Sequence, residues 1–293
     1  MAYCSPSEVK AAINFPSTGA PITDEQIASF VVYSEEEIED VYKTKFGSIE
    51  QNGTADGDYS TTTLSLTTLE MDVDDYIGYV LWIHAGTNSG EYRQISANTA
   101  TKITVDTAFS AATDVTSQFR IVKLGYKSQT VDGTGTDTMF VQYQPLINLN
   151  SLTIDDTSVT PAYVYQYNDS GKLVLGTSDA EVKYFSDTYP QLIDLEYIYG
   201  VYPLPKVIKR LCICLAGIRT LTSQIAGTYD DFTNVSLPGG LTASKGEPYT
   251  NIREAVATLQ GEARGIIFGS TTEGQIGGGV RINPSYRPFT LFA

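Results

Sequence analysis

Cysteine and histidine are scarce in this chain, which limits the chemistry that it can support. The three cysteines, Cys4, Cys212 and Cys214, are too few and too unevenly spaced for a disulfide framework. A Cys-x-Cys pair on a helix directs its two thiols to different sides, so we interpret Cys212 and Cys214 as packing residues. Any Ser-His-Asp, Cys-His or zinc site would have to use His84, the only histidine. A structural histidine at a strand end is the simpler interpretation.

Positive charge and long apolar runs are also lacking. The 19 Lys and Arg residues face 34 Asp and Glu, which gives a formal net charge of −15. A protein that grips nucleic acid by its phosphates has the opposite, basic surface. The acidity could instead repel DNA, keep a crowded assembly soluble, or reflect a salty habitat. Because the chain has no apolar run of about 18 residues and no signal-peptide pattern, we expect a soluble protein made in a cytoplasm, with no membrane partner.

Two capping boxes predict helices near the start of the chain. Ser5 and Glu8 predict a short helix that ends near Ile13, with proline at its first position. Thr23 and Gln26 predict a second helix of about 22 residues that stops at Phe46-Gly47. The polar face of this second helix is acidic and carries Glu35, Glu36, Glu37, Glu39 and Asp40. Such a face is either solvated or an acidic contact between subunits.

The most apolar helical pattern spans residues 203–226. Its apolar positions recur at helical spacing: Val207, Leu211, Leu215, Ile218 and Ile225. Other elements must cover so broad a stripe, which predicts a core helix. Lys209 and Arg210 lie in its first turns, where the helix dipole disfavours cations, so we expect an acidic neighbouring surface to compensate them. A last helix is predicted over 248–268.

Strand patterns fill the middle of the chain. Short apolar runs separated by turn clusters predict an inserted β module at residues 58–125, at the spacing of a small barrel or sandwich. A second set of runs predicts a β-hairpin region at 138–200, with turns at Asp155-Asp156 and Asn168 to Gly171. Residues 227–247 read as a turn-rich connector that is mobile or moulded onto a neighbour.

The last segment, 269–293, has no helical or hairpin pattern but is rich in aromatic and arginine side chains. It is either a frayed tail or an extended arm that folds against a partner, and its large apolar side chains favour the arm. The residues that we predict to make the contact are Arg281, Asn283, Tyr286, Arg287, Phe289 and Phe292.

Aspartate clusters at Asp72 to Asp75 and at Asp132 to Asp137 could bind calcium. Neither cluster has the glutamate at the twelfth loop position of an EF-hand, and Asp/Gly turns are common without metal, so we predict no metal and no cofactor. Paired acids for glycoside hydrolysis cannot be placed at catalytic separation from the sequence.

The order of these elements resembles the head-tail adaptor proteins of tailed phages. The resemblance rests on the N-terminal helix at Tyr3 to Val9, the acidic second helix, the hairpin segments Leu149 to Asp156 and Gly171 to Leu175, and Pro203 to Lys209 opening an apolar helix. The run from Ile77 to Ile95 looks like a β module that recurs as an insertion in virion proteins.

The resemblance implies a ring, commonly of twelve subunits, that binds beneath the portal protein. Such a ring extends the channel for double-stranded DNA without sequence-specific binding, and it gives the tail or neck protein a docking surface. Adaptors of this family have no active site, and their C-terminal segment typically reaches the portal. This role would fall here to the arm from Arg281 to Phe292.

We therefore predict an α+β fold with a helical bundle core from residues 1–47 and 203–268, a β-hairpin region and an inserted all-β barrel or sandwich module. The predicted function is that of a structural virion protein, a head-tail connector in the viral neck assembled in the host cytoplasm. We expect the subunit or channel surface to include Glu36, Glu39, Asp40, Lys209 and Arg210. Two alternatives stay open: a carbohydrate- or receptor-binding tail or fibre component, and a polysaccharide-degrading enzyme.

Overall fold

The fold is mixed α+β. The computed structural model describes residues 2–14, 22–57, 59–176, 184–227, 234–237, 241–244 and 250–268, which form four α-helices and fifteen β-strands. The helices are α1 (Pro6–Ala12), α2 (Asp24–Tyr42), α3 (Lys206–Gly227) and α4 (Thr250–Phe268). The strands are β1 (Ile49–Thr54), β2 (Thr63–Ser65), β3 (Val80–Ala85), β4 (Tyr92–Asn98), β5 (Lys102–Val105), β6 (Gln118–Val122), β7 (Gly125–Val131), β8 (Thr138–Phe140), β9 (Leu146–Ile154), β10 (Thr157–Ser158), β11 (Val164–Tyr167), β12 (Lys172–Leu175), β13 (Ile193–Tyr199), β14 (Asn234–Leu237) and β15 (Leu241–Ser244).

Contacts within the chain define two compact units. Lys43–Pro205 forms one unit and contains β1 to β13. Ala2–Tyr42 together with the described residues from Lys206 onward forms the other, which contains all four helices and the strands β14 and β15. We call them the β unit and the helical unit. The helical unit therefore draws its elements from both sides of the β unit in the sequence.

Both predicted capping boxes are present at the first two helices. The hydroxyl of Ser5 accepts the amide of Glu8 at 3.2 Å, and the Glu8 carboxylate accepts the amide of Ser5 at 3.0 Å. At α2, the amide of Gln26 donates to the Thr23 hydroxyl at 3.4 Å and the Gln26 side chain accepts the Thr23 amide at 2.9 Å. These local contacts satisfy amides that have no partner inside the helix.

Helix α2 is shorter than predicted. It ends at Tyr42 rather than at Phe46-Gly47, because Lys43 takes a left-handed backbone conformation with φ of 48°. The chain then enters the β unit, where Phe46 forms a parallel bridge with Val201. The apolar character of Phe46 therefore reflects its place in the β unit and does not indicate that α2 continues.

Helix α3 is buried around most of its circumference. It packs against α1, α2 and α4, and the run from Leu211 to Ala216 is buried at every position. A helix that is apolar on all sides needs neighbours on all sides. The predicted apolar stripe therefore left out residues that are buried in the middle of the helix. It was wrong at the start of the helix, where Val207 is 47% exposed.

Six antiparallel strands of the β unit form a half-barrel, in the order β1-β6-β3-β4-β5-β2. Its two edges approach each other where Gly57, after β1, bridges Ser65 of β2, and the Asp56 amide donates to the Ser65 carbonyl at 3.0 Å. Strand β1 begins nine residues before the predicted module start at 58 and pairs with β6. The buried core includes Leu64, Leu81, Ile83, Ile95, Ile103, Phe119 and Ile121.

Two further sheets of the β unit share one core. The orders are β10-β9-β13-β7 and β11-β12-β8, and all pairs are antiparallel. The predicted turns are confirmed: Asp155 and Asp156, both with positive φ, join β9 to β10, and Asn168 to Gly171 joins β11 to β12. Strand β13 lies between β9 and β7 and buries Ile193, Leu195, Tyr197, Ile198 and Tyr199.

The predicted connector at 227–247 contains paired strands. Strands β14 and β15 form an antiparallel pair from Asn234↔Ser244 to Leu237↔Leu241. Residues 234–237 and 241–244 do alternate apolar and polar side chains, but each run has only four residues and the two flank Pro238-Gly239-Gly240, so the turn signal outweighed the strand signal. In the described part of the chain, no helix is both long and apolar enough to cross a membrane.

Candidate functional site

The acidic residues of α2 divide into two sets. Glu36 and Asp40, which are four positions apart and so share one side of the helix, are exposed. Glu39, the third predicted surface acid, is half-buried and accepts a hydrogen bond from the Tyr3 hydroxyl at 2.6 Å. Glu35, which is 5% exposed, accepts the Tyr3 amide. Two of the three predicted surface acids therefore face outward, and the third holds the segment before α1.

Lys209 and Arg210 have acidic partners within the chain. The Lys209 ammonium lies 2.6 Å from the Glu8 carboxylate of α1. Arg210 contacts both oxygens of Glu262 in α4, at 2.5 Å and 2.7 Å. The acids that compensate these cations thus come from α1 and α4. The sequence pattern indicates a capping role for Glu8 and carries no signal for Glu262.

These ion pairs shift the pKa of their acids. The hydrogen bond from Lys209 and the Ser5 amide lower the pKa of Glu8, and the hydrogen bond from Arg210 lowers the pKa of Glu262. The same bond raises the pKa of Arg210. All four side chains are between 35% and 43% exposed, so solvent screens each pair.

A third charged contact joins α3 to α2. Arg219 donates to the Ser34 hydroxyl and to the Glu37 carboxylate, both at 2.5 Å. Ser34 is fully buried, and Glu37 is one of the five acids on the predicted polar face. Helix α3 is therefore tied by a cation to each of the other three helices, through Lys209, Arg210 and Arg219.

The predicted C-terminal arm lies outside the described residues. This applies to Arg281, Asn283, Tyr286, Arg287, Phe289 and Phe292.

An apolar cavity of about 300 Å³ lies in the β unit between the half-barrel and the four-stranded sheet. Its lining residues are Trp82, Tyr92, Val122, Leu124, Pro145, Ile147, Gly200, Val201 and Tyr202. We call it the aromatic pocket. The Trp82 ring stacks on Tyr92 with centroids 5.4 Å apart and meets the edge of Tyr202 at 6.1 Å.

Both faces of the Trp82 ring are covered by neighbouring strands. Tyr92 lies opposite it on β4 and Arg120 lies opposite it on β6, with the guanidinium carbon 5.2 Å from the ring centroid. Burial raises the pKa of Tyr92, which keeps its hydroxyl protonated. Because Trp82 has no free face to stack on a sugar ring, the pocket suits an apolar side chain better than a glycan.

His84 belongs to the same cluster. Its ring meets Trp82 edge-on with centroids 5.7 Å apart. Burial, followed by the charge of Arg120, lowers the pKa of His84, so the ring is neutral at pH 7. This position at the end of β3 matches the structural interpretation of the histidine.

Aromatic side chains also cover the outer face of the three-stranded sheet. Phe140, Tyr165 and Tyr167 are 61%, 65% and 55% exposed. The register places Lys172 between Tyr167 and Phe140, with its ammonium 5.5 Å from the Tyr167 ring centroid. We call Phe140, Tyr165, Tyr167 and Lys172 the aromatic face. Exposed aromatic groups of this kind mark interaction sites in soluble proteins.

The aspartate clusters are tied into loops of the β unit. The buried Asn98 side chain accepts the Tyr76 amide at 2.9 Å and donates to the Asp72 carbonyl at 2.7 Å. Asp132 accepts the Gln191 amide at 2.8 Å. Among the residues that the structure describes, no group of three or more His, Cys, Asp or Glu side chains is placed to hold a metal ion.

No protein-family model matches the chain, and no curated protein matches it in sequence.

The charged residues of α3 could be recognised in the sequence, whereas the residues of the aromatic pocket could not. Trp82 and Tyr92 were visible only as members of predicted strands, and Tyr202 lies more than a hundred positions away in the chain. The aromatic face had a usable signal: in Tyr163-Val-Tyr-Gln-Tyr167, alternate positions are aromatic, which predicts that one face of a strand is aromatic.

Proposed function

We propose that this chain is a structural virion protein of the head-tail adaptor type. It forms a ring, of twelve subunits in the family that it resembles, beneath the portal in the viral neck. The ring extends the channel for double-stranded DNA and presents its lower surface to a tail or neck protein. The proposal assigns no catalysis and no cofactor. Assembly takes place in the host cytoplasm.

The observation that carries the proposal is the order in which the helical unit is built. Its first two helices precede the β unit in the chain and its last two follow it, and α3 contacts the other three. This is the order of elements on which the resemblance to adaptors rests, with the β-hairpin region at 138–200 as part of the adaptor and the module at 58–125 as the insertion. The finer proposal is that the four helices form the bundle core of the ring subunit.

The charge distribution supports a role in DNA passage. The chain has a net charge of −15, and α2 exposes Glu36 and Asp40. An acidic wall repels phosphates, so DNA slides past it, whereas a basic wall would bind DNA through counterion release. We assign these two residues to the channel side of the ring, whereas Glu39, the third predicted acid, binds Tyr3 within the subunit.

Native mass measurement and electron microscopy of the chain mixed with its portal test the ring. We expect ring-sized oligomers seated on the portal. Deleting residues 281–293, the predicted arm, should abolish attachment to the portal while the far-ultraviolet spectrum stays unchanged. Trimers, or attachment that survives the deletion, would contradict the proposal.

Charge reversal tests the channel assignment. A Glu36→Lys, Asp40→Lys variant of the ring should retain double-stranded DNA at low salt and release it as salt rises, because two cations per subunit now face the phosphates. The matched control is Glu254→Lys on α4, which adds a cation at an exposed position outside α2. Equal DNA retention by both variants would place Glu36 and Asp40 outside the channel, as would a ring structure with all three α2 acids on its outer rim.

The aromatic face favours one alternative, a carbohydrate- or receptor-binding tail component. Sugar rings stack on exposed tyrosines, and Tyr165 and Tyr167 both offer a face. If this alternative holds, a Tyr165→Ala, Tyr167→Ala variant loses binding to glycans. Tyr189→Ala, which removes a tyrosine that is 67% exposed elsewhere, does not. No glycan binding by the unaltered chain would exclude this role.

A further inference from the structure

Two of the three cysteines meet in the core of the helical unit. The thiols of Cys4 and Cys212 lie 3.6 Å apart, although the residues are 208 positions apart in the chain. Cys4 precedes α1 and is 3% exposed, while Cys212 lies in α3 and is fully buried. The contact therefore joins the first described residues to the most buried helix.

We propose that Cys4 and Cys212 are an oxidative modification site, at which a small-molecule disulfide converts the two thiols into a covalent clamp between the N-terminal segment and α3. The sulfur atoms are in van der Waals contact, and a disulfide needs a separation of about 2.05 Å. Bond formation therefore requires the two sulfurs to approach by about 1.5 Å, and Cys4 lies outside regular helix.

Cys214 is not a competing partner. It lies two residues after Cys212 on the same helix, so its side chain points to a different side. Burial raises the pKa of Cys214 to about 12, and the charges that act on it are those of Glu262 and Arg210. Its surroundings therefore belong to the contact with α4, whereas Cys212 faces Cys4.

The packed thiols react slowly until the segment opens. The contact with Cys4 and burial both raise the pKa of Cys212, which keeps the sulfur protonated, and the thiolate is the nucleophile. Helix α1 has only seven residues, and a helix this short depends on tertiary contacts. Cys4 lies directly before α1, so we expect detachment of α1 from α3 to expose it. Oxidation therefore reports the opening of the N-terminal segment.

The reaction balances with oxidised glutathione as the oxidant. The Cys4 thiolate attacks one glutathione sulfur, which breaks the glutathione disulfide and releases one glutathione thiolate that takes up the proton of Cys4. When α1 closes again, the Cys212 sulfur displaces the second glutathione and loses its proton to it. The two protein thiols are oxidised by two electrons, and one oxidised glutathione is reduced to two thiols.

The clamp closes a very long loop. In the chain-entropy description, a disulfide stabilises more when it joins distant residues. A reducing compartment keeps both thiols free, and an oxidising compartment allows the disulfide to form. The proposed disulfide does not depend on whether the chain forms a ring.

Peptide mapping of the full-length chain tests the proposal. After incubation with oxidised glutathione, non-reducing digestion should yield a peptide that links Cys4 to Cys212 and leave Cys214 as the free thiol. The oxidised chain should unfold at a temperature higher by on the order of 5 °C, and dithiothreitol should reverse the change. Three free thiols after oxidation, glutathione retained as a mixed disulfide, or linkage through Cys214 would each overturn the proposal.

The three cysteines also supply a matched set of variants. Cys214→Ser should form the same linked peptide and show the same thermal shift, while Cys4→Ser and Cys212→Ser should show neither. Because a buried serine can destabilise the helical unit, the peptide map of the unaltered chain decides the question if a variant does not fold. A thermal shift of the same size in oxidised Cys4→Ser would count against the clamp.

Discussion

The guanidinium of Arg210 in α3 binds both carboxylate oxygens of Glu262 in α4, with Nε–Oε1 and Nη2–Oε2 distances of 2.5 Å and 2.7 Å. Two parallel hydrogen bonds fix the orientation of a planar guanidinium, which a single contact does not. The pair also places an acid beside a cation that lies in the first turns of α3, where the helix dipole disfavours it. Arg210 thus links α3 to α4 in a fixed orientation, although its side chain is 43% exposed.

The first prediction concerns the strength of this pair. Arg210→Gln and Glu262→Gln should each lower the free energy of unfolding of the helical unit by about 1 kcal/mol, and the double variant should lose little more. The Lys209–Glu8 pair is the matched control, since its single contact at similar exposure should couple by less than about 0.5 kcal/mol. Urea unfolding followed by far-ultraviolet circular dichroism measures both cycles. Equal coupling in the two pairs would contradict the importance of bidentate geometry.

The second prediction concerns acid stability. The pKa values of Glu8 and Glu262 are lowered from 4.5, so both acids bind fewer protons in the folded than in the unfolded state. Their contribution is fully present above the unfolded pKa and is lost as the pH falls through the lowered folded pKa. The Glu8→Gln, Glu262→Gln variant should therefore lose less stability than the parent chain between about pH 5 and pH 3. A pH series of urea midpoints measures this, with Glu254→Gln as the control for removing an exposed carboxylate of α4.

Helix starts could be predicted from the sequence because their causes are local. Ser5 with Glu8 and Thr23 with Gln26 contact each other within one turn, so three residues of separation are enough to recognise them. The end of α2 could not be predicted in this way. It depends on the left-handed conformation of Lys43 and on the bridge from Phe46 to Val201, a partner that is distant in the sequence.

Strands that have a polar sequence, and sites that are built from distant residues, could not be predicted from the sequence. Strand β7 has few apolar residues and exists because it pairs with β13 over seven positions, from Ile193↔Val131 to Tyr199↔Gly125. The aromatic pocket is assembled in the same way, from Trp82, Tyr92 and Tyr202. Periodicity along the chain carries no information about such partners. The sequence predicted that Arg210 would have an acidic neighbour. That this neighbour is Glu262 follows from the packing of α4 against α3, which the sequence did not predict.

The third prediction concerns the turn between β3 and β4. Gly86 has φ of +79°, and a Cβ there would lie 1.8 Å from the Thr116 carbonyl oxygen. Gly90 has φ of +89° but meets nothing within 4 Å, so it isolates the cost of the backbone conformation. Gly90→Ala should cost about 1 kcal/mol, and Gly86→Ala at least about twice as much, because the backbone of Thr116 must also move. Urea unfolding monitored by Trp82 fluorescence measures both. Equal losses would mean that the turn at Thr116, before β6, moves at little cost.

The fourth prediction uses Trp82, the only tryptophan, as a reporter of the aromatic pocket. Arg120→Ala removes the cation that covers one face of the indole, so the emission should shift to longer wavelength and become easier to quench with acrylamide. The lost cation–π contact should also lower the stability of the β unit by about 1 kcal/mol. Lys172→Ala is the control, because it removes a cation from the ring of Tyr167 on the aromatic face, a residue that does not line the aromatic pocket. An unchanged spectrum in Arg120→Ala would mean that Tyr92 and Tyr202 alone shield the indole, and that Arg120 does not help to close the pocket.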